Sequence, residues 1–306
     1  MMLQIPTTTT GLGYEKADET FVYADWVECS ALFHGESISK ADVQDCFSEI
    51  NSFDKENTPS TVADIWSELE RRKRFLGQRC PVSIKGNRIT AMSWQDYAAY
   101  SFCLLLSYSK SNREWERKFC NDYQTQGELF EHISVASLRH LLKDWEVNPT
   151  GWSKANSTTI KKQIKDIAAE LGESIGQETP RSVDKDGGVD VLCYRLFPDK
   201  RGNYPVIFVQ CATGRNWTDK RREEALHLWT NWIHFKTPKL LSRGFAVPFA
   251  LGDETFRQTQ IRGNCLILDR IRLFSHSTIE SKWLPINLLT KIEAWVTQKL
   301  NTLSED

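Results

Sequence analysis

Apolar positions in the first third of the chain recur mostly at helical spacing. Phe21, Ala24, Val27, Cys29, Ala31 and Leu32 predict one helix, and a second opens across Ile38 to Val43 with Ser39 as its N-cap. Val62, Ile65, Trp66 and Leu69 fall at i, i+3, i+4 and i+7. They predict an amphipathic helix from Thr61 to Phe75 whose basic carboxyl end suits the helix dipole. From Cys80 to Thr90 the pattern alternates around Gly86-Asn87, a hairpin signal. Trp94 to Tyr108 predicts a buried helix. Residues 1–20 are polar and Thr-rich and are expected to form an arm. The polar stretch Ser109–Arg113 then separates a mainly helical amino-terminal domain, 21–112, from a second domain, 113–306.

The second part begins helically and changes period. Gly127 to Glu131 leads into a helix with Ile133, Leu138, Leu141 and Leu142 on one side, which Asn148-Pro149-Thr150-Gly151-Trp152 should break. Thr158 to Leu171 predicts another helix, ended near Gly172. Val189 to Leu196 is then β-rich, Phe197 to Asn203 has turn chemistry, and Val206 to Cys211 is a nearly continuous apolar strand. Such a run fits a strand buried on both faces. A long helix from Thr218 to Phe235, strands at Phe245–Ala250 and Asn264–Asp269, and a final helix from Leu288 to Leu300 complete the pattern. The order predicts an α/β fold with a mixed sheet flanked by helices.

Composition agrees with a globular protein: 40% of the 306 residues are hydrophobic and 26% charged. The net charge of −1 gives no global pull toward nucleic acid, so any such attraction must be local. Candidates are Glu70-Arg71-Arg72-Lys73-Arg74, Lys161-Lys162 with Lys165, and Lys220-Arg221-Arg222, each also readable as a solvated helix face. The eight cysteines form no C-x-x-C pair and fit a reducing cytoplasm. No stretch reaches the ~18 apolar residues of a membrane span, so no membrane partner is expected.

Chemistry concentrates at Asp190 and Gln210. Asp190 follows Asp186-Gly187-Gly188 early in one strand, and Gln210 closes the next. A carboxylate and an amide oxygen side by side make a hard-oxygen site suited to Mg2+, with Mn2+ as a substitute. The structural alternative is that Asp190 caps a turn and Gln210 bonds to backbone. His132, His140, His227 and His234 are dispersed, the last two seven apart on the predicted long helix. Trp145, Trp152, Trp217, Trp229 and Trp232 could stack on bases or fill the core. No phosphate-binding Gly-x-x-x-x-Gly-Lys loop and no Gly-x-Ser-x-Gly elbow occurs.

Asp186-Gly187-Gly188-Val189-Asp190-Val191 followed by Val209-Gln210 resembles the PD-(D/E)XK nuclease superfamily, in its Mrr-like restriction-endonuclease branch. The resemblance covers roughly residues 125–270. It implies a restriction-endonuclease-like fold, Asp190 and Gln210 as metal ligands, and a helical carboxylate, for which Glu131 is the first candidate and Glu170 and Glu173 are alternatives. It also implies a lysine at 212, where this chain has Ala212. Lys220 is the proposed replacement, with Lys185 a weaker one. Arg215, Asn216, Lys220 and Arg221 are the expected nucleic-acid contacts. The function implied is a Mg2+-dependent DNA endonuclease of bacterial anti-phage defence with a protein partner or a second copy. The alternative is a catalytically inactive DNA-binding or scaffold subunit.

Overall fold

A computed structural model of the chain describes residues 2–7, 19–34, 37–49, 57–150, 157–181, 184, 187–221, 224–276 and 282–303, and leaves aside the side chains of 157–159, 221, 224 and 225. The first part contains α1 (Glu19–His34), β1 (Ile38–Ser39), α2 (Lys40–Glu49) and α3 (Thr58–Leu76). These are followed by β2 (Val82–Lys85), β3 (Arg88–Ala91) and α4 (Ala98–Ser111). Ser39 caps α2 as its sequence predicts: its hydroxyl accepts the Asp42 N–H at 3.2 Å while the Asp42 carboxylate accepts the Ser39 N–H at 2.6 Å. The β2–β3 hairpin turns at Gly86, with φ at +58°, and β1 joins β3 as a third strand. Every residue of α4 is buried, and α4 packs between α1 and the final helix.

The second part contains α5 (Arg113–Phe119), α6 (Tyr123–Leu141), β4 (Glu146–Pro149), α7 (Ser157–Leu171), β5 (Ser174–Ile175), β6 (Val191–Tyr194) and β7 (Val206–Cys211). It continues with α8 (Glu224–Trp232), β8 (Ile233–His234), β9 (Leu241–Ala246), α9 (Asp253–Gly263), β10 (Leu266–Leu268), α10 (Arg270–Leu273) and α11 (Ile286–Leu300). Five strands form a mixed sheet in the order β10-β9-β7-β6-β4. Strands β4, β6 and β7 run antiparallel in turn, while β7, β9 and β10 are parallel. The apolar run Val206–Cys211 thus lies at the centre.

Three expectations are corrected. The segment at Asn148-Pro149 does not break the helix, since α6 already ends at Leu141; it is strand β4 on the edge of the sheet, where the missing proline N–H costs no ladder bond. The helix expected over Thr218–Phe235 is divided into a 3-10 turn at Trp217–Arg221, helix α8, and strand β8, which pairs with β5. His234 therefore lies in a strand and shares no helix face with His227. The parallel strands β9 and β10 are joined by α9, a helix absent from the predicted order.

Alternation along the strands divides the core between the two faces of the sheet. Val191, Cys193 and Val209 face the cluster that holds Trp26, Leu104, Phe130 and Trp295, so helices on both sides of residue 112 share one apolar core. Leu192, Tyr194, Val206 and Phe208 face Ile160, Ile164, Trp229 and Trp232 of α7 and α8. The tryptophans at 217, 229 and 232 are core residues. Part of the basic run on α3 is also internal: Arg72 is 1% exposed and bonds to Asp25, Glu28 and Glu68.

Candidate functional site

The β6–β7 hairpin determines where Asp190 and Gln210 sit. Val191 pairs with Val209, so Asp190, one residue before β6, and Gln210, near the end of β7, are neighbours at the open end of the hairpin. The Asp190 main chain is held from both sides: its N–H donates to the Val209 carbonyl at 2.9 Å and its carbonyl accepts from Thr150 N–H at 3.0 Å. Its carboxylate Oδ2 accepts the Cys211 N–H at 2.6 Å, so one oxygen is engaged by the backbone of the neighbouring strand. The preceding glycines are needed. Gly187 and Gly188 have φ of +64° and +76°, and a Cβ on Gly187 would lie 2.7 Å from the Trp232 ring.

The open end of the hairpin borders a cleft of about 600 Å3. Asp190, Gln210, Glu131, Arg215, Asn216 and Lys220 all line it. Glu131 arrives on α6, beside Gly127 and Phe130. Burial first, then the charges of Asp190 and Glu131, push the Cys211 thiol well above its usual range, so both carboxylates act on the same sulfur. The cleft lies at the carboxyl end of β7, where open α/β sheets commonly place their ligands.

The alternatives are engaged elsewhere. Glu170 accepts the Tyr194 hydroxyl at 2.7 Å, and Glu173 accepts the Lys236 N–H at 3.0 Å. Lys220 is on the 3-10 turn, not in a long helix, because Trp217 is buried against Phe245 and Phe249 and holds the chain there. Asp186, Lys185 and the Arg221 side chain lie outside the described residues. Ala212 is 1% exposed in the apolar cluster with Trp217, Phe245 and Phe249. The position of the resembled family's lysine is therefore filled by aromatic packing.

Two charged lining residues, Lys110 and Glu116, are not nominated by the sequence. Lys110, at the end of α4, donates from Nζ to Glu116 Oε1 at 2.7 Å. Arg215 donates from Nε and Nη2 to Glu116 Oε2 at 2.9 and 2.6 Å. Arg215, expected as a nucleic-acid contact, is thus ion-paired within the protein. Lysine within an otherwise buried helix was the one available signal, since such a charge requires a partner.

Among the described residues no group of three or more His, Cys, Asp and Glu could hold a metal ion. The cleft offers a smaller set of oxygen donors: the carboxylates of Asp190 and Glu131 and the Gln210 amide. Oxygen donors are the type that Mg2+ takes, and that ion keeps several of its waters and needs few protein ligands. No helix among the described residues is long and apolar enough to cross a membrane.

No family model, curated protein or solved structure matches the chain.

Proposed function

We propose that this chain is a metal-dependent endonuclease of restriction-endonuclease-like fold that hydrolyses phosphodiester bonds in DNA. The observation that carries the reading is the convergence of Asp190, Gln210, Glu131 and Lys220 on one cleft. Its support is the match between that cleft and the resemblance carried by Gly187-Gly188-Val189-Asp190-Val191 and Val209-Gln210. A role in anti-phage defence, with a protein partner or a second copy, rests on the resemblance alone.

Asp190, Glu131 and Gln210 would hold Mg2+ or Mn2+. The ion when bound supplies a more acidic water and offsets charge on the scissile phosphate. Asp190 is positioned for this by main-chain bonds to two neighbouring strands, so its carboxylate needs little reorganisation. Lys220 supplies a mobile ammonium donor for the charge that builds on the phosphate, replacing the lysine that Ala212 cannot provide. In the reaction a water oxygen bonds to phosphorus and the bond to the leaving sugar oxygen breaks. The leaving oxygen gains a proton and the attacking water loses one.

A second reading, an inactive DNA-binding or scaffold subunit, is favoured by one observation: Ala212 is closed into an apolar cluster. Cleavage of supercoiled plasmid in Mg2+ or Mn2+ separates the two. The nuclease reading expects nicking that falls at least ~100-fold in Lys220→Ala, comparable to losing a transition-state donor. Full activity in Lys220→Ala would remove the lysine assignment, and no cleavage with either metal would favour the binding subunit.

A further inference from the structure

The Lys110–Glu116–Arg215 cluster is not used by the chemistry above, yet it forms part of the same cleft. Lys110 is 2% exposed and Glu116 6%. Two cations share one carboxylate, and the other hydrogen-bond acceptor on Lys110 is the neutral Gln126 amide oxygen at 3.4 Å. Taken by itself this cluster carries one positive charge in excess, on a largely desolvated wall of a cleft that the Asp190 and Glu131 carboxylates also line. Arg215 is unsatisfied in a second way: its Nη1 is shielded from solvent with no hydrogen-bond partner. Its side chain is still 21% exposed and lines the cleft.

We propose that Lys110 and Arg215 form a second anion subsite, which takes a backbone phosphate of the nucleic acid beside the scissile one, and that Glu116 weakens this subsite by competing for both cations. The assignment rests on the reading that the cleft takes nucleic acid. The single excess charge matches the single charge of a phosphodiester. Arginine binds phosphate oxygens with the same forked donors that Glu116 now engages. The subsite also gives the helices before the sheet a part in substrate binding, because Lys110 comes from α4 and Glu116 from α5. Glu116 acts as a carboxylate already seated on the cations, which a phosphate must share or displace.

The test is binding of a short labelled DNA duplex in EDTA, followed by fluorescence anisotropy over a range of salt. Arg215→Gln should weaken binding about 10-fold and reduce the slope of log K against log salt by about one. Glu116→Gln should tighten binding about 5-fold, because it removes a competing anion and keeps a hydrogen-bonding side chain. Lys110 is buried and Lys110→Met can fail to fold, so Arg215→Lys, which keeps the charge and should retain most of the affinity, is the second control. Melting temperatures accompany every variant. Weaker binding by Glu116→Gln at unchanged melting temperature would overturn the proposal, as would unchanged affinity and salt slope in Arg215→Gln. Inorganic phosphate should compete with the duplex in wild type and less in Arg215→Gln. Phosphate binding without duplex binding would overturn the nucleic-acid assignment. No metal is present, so failure here is distinct from failure to cleave plasmid in Mg2+.

Discussion

Asp190 stabilises the hairpin as well as lining the cleft, because Oδ2 accepts the Cys211 N–H at 2.6 Å. Its two duties can be separated by substitution. Asp190→Asn keeps an acceptor for that N–H and loses the charge, so its unfolding free energy in urea should stay within about 1 kcal/mol of wild type. Asp190→Ala loses both and should cost about 1–3 kcal/mol. Ala212 supplies a sharper case. Restoring the resembled family's lysine as Ala212→Lys should destabilise the fold by at least ~2 kcal/mol without raising cleavage, because the new ammonium would enter the cluster of Trp217, Phe245 and Phe249. A stable, more active Ala212→Lys would show that position 212 opens on the cleft.

Between elements, packing shows what the apolar pattern could and could not specify. Where α10 ends, His276 stacks on His140 of α6 with ring centroids 5.3 Å apart, and its edge meets Trp283 at 5.0 Å. Burial first, then His140 and Arg79, lowers His276 to about 4. The unfolded imidazole titrates near ~6.5, so between these values the unfolded chain binds a proton that the folded chain refuses. This contribution to stability is complete above the unfolded value and is lost as pH falls toward 4. Urea midpoints of wild type should therefore drop over that window, and His276→Phe should show a shallower drop. Equal slopes would remove His276 as the cause.

The helices with an apolar stripe, such as α3, and the apolar strand β7 were legible because one face or one run decides them. Strand β4 was not, since among Glu146, Val147, Asn148 and Pro149 only Val147 is buried and pairing with β6 makes the strand. Helix α9 buries only Thr255, Thr259 and Gly263, so it carries no apolar stripe to read. Asp190, Gln210 and Glu131 could be nominated from motif and spacing. Glu116 could not, because its partner Arg215 is 99 residues away and only the fold brings them together.

Across the whole molecule, a buried charge network ties the amino-terminal helices to α10. Arg72 of α3 bonds to Asp25, Glu28 and Glu68, Arg270 of α10 bonds to Asp25, and Tyr100 donates to Glu28 at 2.7 Å. Burial alone would raise the Asp25 carboxyl, yet Arg270 and Arg72 outweigh it and hold the group below the usual carboxylate range. Asp25 also lines a small void with Lys110 and Arg215, so the network extends to the wall of the cleft. Arg72→Met should cost about 3–5 kcal/mol in unfolding free energy, because it leaves buried carboxylates uncompensated. A loss below about 1 kcal/mol would mean that Arg270, Tyr100 and Arg71 satisfy them without Arg72. The central claim for the molecule is that the cleft at the end of β7 hydrolyses phosphodiesters through Asp190. Its most direct test is the rate of supercoiled-plasmid nicking in Mg2+ by wild type and by Asp190→Asn of matched stability. The account predicts nicking by wild type and a loss of at least ~100-fold in the variant; equal rates in the two proteins, or no nicking by either, would contradict it.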